Sequence, residues 1–108
     1  MYFYVMKIVI KPYKTDEFES ELYAISQNVR KAKGCLVYSV YRDTEKKNTF
    51  MLVGEWQTRQ AREKHFKSRD YEVLIGAARV LGETFEMNIA EVTKSGSLEF
   101  AREQIPPQ

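Results

Sequence analysis

The sequence predicts an α+β fold of the ferredoxin-like kind, β-α-β-β-α-β, with helices covering an antiparallel sheet of four strands. Three observations carry the prediction. An alternating apolar run at 2–11 gives way to a helical stripe of Phe18, Leu22, Ile25, Val29 and Ala32, spaced by four and three. Two further strand-like runs, at about 35–42 and 49–57, flank the polar turn Asp43-Thr44-Glu45-Lys46-Lys47-Asn48. A second helical region, broken near Ser68, then leads into a last alternation over roughly 83–93.

Each element has its own start and stop signals. Pro12 ends the first strand because it cannot donate to a ladder. Thr15 or Asp16 caps the first helix, with Asp16 and Glu17 suited to its positive end. Lys31 and Lys33 suit its negative end, and Gly34 supplies a left-handed stop. Trp56 closes the third strand, and Thr58 opens a short helix carrying Ala61, His65 and Phe66. Ser68 caps the next helix, whose inner face is Tyr71, Leu74, Ile75, Ala78 and Leu81 before Gly82 ends it. Gly76 sits inside that helix and weakens it. The folded domain is expected at 1–94, with a tail at 95–108 containing a helical or extended piece from Leu98 to Gln104.

At 108 residues, with 44% hydrophobic and 30% charged side chains, the chain has the balance of one globular domain. Aromatics reach 13%, which suggests an interface or a pocket for a flat ligand. A net charge of +2, on dispersed basic residues, gives no footprint for nucleic acid or an anionic membrane. The single cysteine, Cys35, excludes an intrachain disulfide and makes a reducing, cytoplasmic setting the expectation. No apolar run approaches the roughly 20 residues needed to cross a bilayer.

Both faces of the first three strands are apolar. Phe3, Val5, Val9, Cys35, Val37, Tyr41, Met51 and Val53 are expected on one face. Tyr4, Met6, Ile8, Leu36, Tyr38, Val40, Phe50, Leu52 and Trp56 are expected on the other. A monomer would leave one of these faces in water, so the sequence predicts a homodimer packed sheet to sheet.

His65 is the only histidine and the only side chain that ordinarily titrates near neutrality. It either accepts a proton from a substrate or packs at the helix edge against a carbonyl. Trp56 offers a flat wall with one donor, or simply plugs the sheet end; Tyr71 divides in the same way. One His and one Cys, 30 residues apart, do not make a tetrahedral metal site. No Gly-x-Ser-x-Gly turn or Gly-x-Gly-x-x-Gly loop occurs. The aromatic strand of RNA-recognition modules is also missing, since the third strand reads Thr49-Phe50-Met51-Leu52-Val53-Gly54-Glu55-Trp56.

The ordered set Lys11-Pro12, Gly34-Cys35-x-x-Tyr38, Glu55-Trp56, His65 and Ser68 resembles the antibiotic biosynthesis monooxygenase family, from Val5 to about Val92. The resemblance implies a dimeric α+β barrel. It also implies oxidation of a small electron-rich aromatic (a quinol, phenol or anthrone-like compound) by O2, with no cofactor and no metal. His65, Trp56 and Tyr71 are the catalytic candidates it supplies. The alternative is a non-catalytic dimeric module that binds or senses a small molecule. Tyr13 and Lys33 depart from residues common in the family, Gly and Glu respectively. Its haem-degrading members place a histidine where this chain has Leu74 to Ala77, and an Asn where it has Met6 to Ile8, so haem degradation is not expected.

Overall fold

The computed structural model describes residues 1–107. Its elements run β1 (Tyr2–Ile10), α1 (Thr15–Val29), β2 (Cys35–Arg42), β3 (Thr49–Trp56), α2 (Arg59–Phe66), α3 (Arg69–Leu81), β4 (Gly82–Glu91) and α4 (Leu98–Glu103). A 3₁₀ turn, Pro12–Lys14, leads into α1, so the expected cap is corrected: Lys14 holds the N-cap position, and Thr15, already inside the helix, donates to the Pro12 carbonyl. The sheet is antiparallel throughout, in the order β2-β3-β1-β4. This is the ferredoxin-like α+β arrangement that the periodicities predict.

The core lies between the sheet and the helices. Tyr4, Met6, Ile8 and Ile10 alternate into it from β1, and Phe50, Leu52 and Trp56 from β3. The α1 stripe Phe18, Leu22, Ile25 and Val29 packs on them, joined by Leu74, Ala78 and Leu81 of α3. Ala32 falls beyond the end of α1 and is exposed. Gly34 lies in the turn that follows, at φ +85°, and a Cβ there would come within 2.7 Å of the Ala61 methyl. Glycine is therefore needed twice over, for the left-handed conformation and for the approach of α2.

One assignment of faces is corrected. Val37 pairs with Glu55 while Cys35 pairs with Trp56, so Leu36 is an inserted residue, a β-bulge. The bulge reverses the alternation at the start of β2. Cys35 turns inward against the core, and Leu36 turns outward, 50% exposed.

The opposite sheet face has no covering layer in the protomer. Val5, Val53 and Ser39 line up across its strands, as do Lys7, Met51 and Tyr41. Tyr41 and Met51 are exposed there. Beyond β4, α4 buries none of its residues. No helix among the described residues is long and apolar enough to cross a membrane.

Candidate active site

The site is built over a gap in the sheet. Tyr4, Gly54 and Tyr38 stand side by side across β1, β3 and β2. Gly54 has no side chain to separate the two tyrosines. The Trp56 indole folds back into that space, and a Cβ on Gly54 would lie 2.6 Å from it. Tyr4 and Tyr38 meet above the gap, with the Tyr4 hydroxyl donating to Tyr38 Oη at 3.1 Å. Tyr4 also stacks on Trp56, centroids 5.3 Å apart and planes at 20°.

His65 descends onto this cluster from α2. Thr58 caps that helix by accepting from the Ala61 amide at 3.1 Å. Arg62, only 4% exposed, anchors it to the sheet by donating from Nη1 to the carbonyls of Phe3 and Ala90. At the far end Ser68 donates to the His65 carbonyl and accepts from the Tyr71 amide, capping α3. With both ends fixed, the imidazole lies 4.7 Å from Trp56 and 5.5 Å from Tyr4, centroid to centroid. Its Nε2 is 2.8 Å from Tyr4 Oη. Nδ1 has no hydrogen-bond partner among the described residues and is not sealed from solvent.

A cavity of about 200 Å³ opens beside His65. Val29, Trp56 and Ala61 give it an apolar wall, His65 and Ser68 its neutral polar groups, and Lys33, Lys64 and Asp70 stand around it. Sites for drug-sized ligands start at roughly 300 Å³, so this one suits a small, compact ring compound.

All three polar rings in the cluster are uncharged at neutral pH. Burial pushes the His65 pKa down to about 4, outweighing the upward pull of the Asp70 carboxylate. Burial likewise raises Tyr4 and Tyr38 well above the ordinary phenol range.

Of the three residues singled out from sequence, Trp56 and His65 share the cavity wall. Tyr71 borders His65 edge-on, centroids 5.5 Å apart, but is not part of that wall. Its hydroxyl instead donates to Met87 Sδ on β4 at 3.4 Å. Tyr4 and Tyr38 escaped the sequence reading as site residues because their alternation marked them only as core. The Gly54-x-Trp56 spacing was the available signal, since a glycine two residues before a strand-end Trp leaves room for the ring to fold back. Among the described residues no three of His, Cys, Asp and Glu cluster as metal ligands.

A two-layer α+β domain with an aromatic, histidine-bearing cavity under its helices defines the class. The family model for antibiotic biosynthesis monooxygenases matches residues 1–76, and the chain belongs to that family. It is 27% identical over 92 residues to the uncharacterized protein sll1783 of Synechocystis, covering 84% of this chain but 63% of that protein. It is 26% identical over 74 residues to YcnE of Bacillus subtilis, provisionally named a monooxygenase, covering 68% and 78% of the two chains. Among solved structures, one from Deinococcus radiodurans, provisionally named an antibiotic biosynthesis monooxygenase, superposes with TM-score 0.83 at 19% identity, covering 90% of this chain and 97% of that one. Rv0793 of Mycobacterium tuberculosis gives TM-score 0.80 at 16% identity, covering 89% and 98%.

Proposed function

We propose that this protein is a cofactor-independent monooxygenase that oxidises a small electron-rich aromatic, a phenol, quinol or anthrone-like ring, with O2, and that it works as a homodimer. The observation that carries the reading is His65: a buried, uncharged imidazole that lines a cavity and has only Nε2 engaged by the protein. The substrate ring occupies that cavity, with its hydroxyl donating to Nδ1.

A base with a pKa near 4 is too weak to strip an ordinary phenol outright. The proton therefore moves to Nδ1 in concert with transfer of an electron from the ring to O2, because only a ring shedding its proton is reducing enough to give that electron up. Superoxide takes that proton back and joins the ring at carbon as a hydroperoxide. Loss of water from the hydroperoxide leaves a carbonyl. One oxygen atom enters the product, the other leaves as water, and the substrate supplies all the electrons. The apolar wall and the small volume keep solvent away from the radical pair.

Oxygen uptake with a panel of one- and two-ring quinols and anthrone tests the reading. Turnover should persist in a chelator. His65→Ala should lower the rate by about 10²-fold or more, while Trp56→Phe should mainly weaken binding. Unchanged turnover in His65→Ala would remove His65 from the mechanism. Binding without oxygen uptake by any compound would make the protein a small-molecule-binding module instead.

A further inference from the structure

We propose that Tyr4, which does not line the cavity, is a positioning residue that sets the tautomer of His65 and so decides which ring nitrogen the substrate meets. The inference rests on the reading of His65 as proton acceptor. It starts from a buried chain of three groups, Tyr38, Tyr4 and His65, sealed under Trp56 and Phe66. Tyr4, Tyr38 and His65 are 0%, 1% and 6% exposed.

A phenol has one proton to give. With the Tyr4 proton directed to Tyr38 Oη, as this proposal assigns it, the proton in the bond between Tyr4 and His65 comes from Nε2. An imidazole that donates from Nε2 while neutral carries a lone pair on Nδ1, the atom that is neither sealed nor bonded. Tyr4, stacked along the ring at 16°, and Trp56, 4.7 Å away, hold the imidazole in this orientation. The same bond keeps the base from sinking into the core. If the chain ran the other way, Tyr38 to Tyr4 to Nε2, His65 would present an N–H to the cavity and could only donate. The direction of two buried hydrogen bonds thus separates an acceptor site from a donor site.

His65 is the sole histidine, so ¹⁵N-histidine labelling and long-range ¹H–¹⁵N correlation read its tautomer without assignment. The wild type at pH 7 should carry its proton on Nε2 and a bare Nδ1. In Tyr4→Phe the acceptor for Nε2–H is gone, and the proton should move to Nδ1. Tyr38→Phe reaches the same end by another route and serves where Tyr4→Phe does not fold. There the Tyr4 hydroxyl, without its acceptor, turns to donate to Nε2. In both variants kcat should fall about 10- to 100-fold with KM little changed, part of the roughly 10²- to 10⁴-fold that a positioned base supplies. A wild-type ring protonated on Nδ1 overturns the proposal, and so does a tautomer unmoved in both variants. The spectra need no turnover, so a failed oxygen assay leaves this result standing and speaks only against the monooxygenase reading.

Discussion

At the scale of the residue, His65 ties stability to pH with a definite sign. Its folded pKa is about 4, against 6.5 for the free side chain. Above pH 6.5 neither the folded nor the unfolded state holds the proton, and the full stability is present. As pH falls from 6.5 toward 4 the unfolded chain takes up a proton that the folded one refuses, so stability declines. That interval is worth about 3 kcal/mol. Urea melts at pH 7 and pH 4.5 should therefore show a larger loss in the wild type than in His65→Asn; equal losses would mean the ring is not buried uncharged. The candidates His65 and Trp56 were legible in the sequence because each is the only one of its kind, and they lie nine positions apart across a strand-to-helix junction. Tyr4 was not legible, because its partner His65 is 61 positions away and only the fold brings them together.

Between residues and the molecule stand the elements, and there the periodicities sufficed. Every strand and helix of the core announced itself through alternation, a capping Thr58 or Ser68, or a breaking Pro12 or Gly82. The bulge at Leu36 did not, because one inserted residue in Cys35-Leu36-Val37 leaves the local pattern apolar whichever face each side chain takes. Helix α3 carries a correctable weakness. Gly76 lies in its interior, and a Cβ there would meet nothing within 4 Å. Gly76→Ala should stabilise the protein by about 1 kcal/mol through helix propensity alone, raising Tm by several degrees in calorimetry. A lower Tm would mean that a neighbour absent from the protomer occupies that space.

The whole molecule is too open for its mass. Its accessible surface is 7693 Å², where a compact monomer of 12.7 kDa has about 6,200 Å². Its radius of gyration is 15.6 Å, against about 13 Å expected for its length. The slab is only 19 Å through its thinnest axis, its bare sheet face carries Val5, Val53, Met51 and Tyr41 among polar neighbours, and α4 stands clear with none of its residues buried. Pairing two such sheets face to face would cover the bare face, which is the ground for proposing a homodimer. Light scattering at micromolar concentration should give twice the chain mass. Val53→Asp, which sets a charge at the centre of that face, should dissociate or unfold the protein. A monomeric wild type would overturn the expectation.

The contact between the only tryptophan and the only histidine, 4.7 Å apart, gives the molecule a built-in optical probe. An imidazolium quenches a neighbouring indole much more strongly than a neutral imidazole does. Emission excited at the red edge of the spectrum comes from Trp56 alone and should stay level from pH 8 to about 5. It should then dim around pH 4 as the ring charges, and the same signal should respond to a compound bound in the cavity beside the two rings. Emission without such a step in a protein that remains folded would place the histidine charge outside that range. Ligands and protonation can thus be followed in unlabelled protein, before any substrate is known.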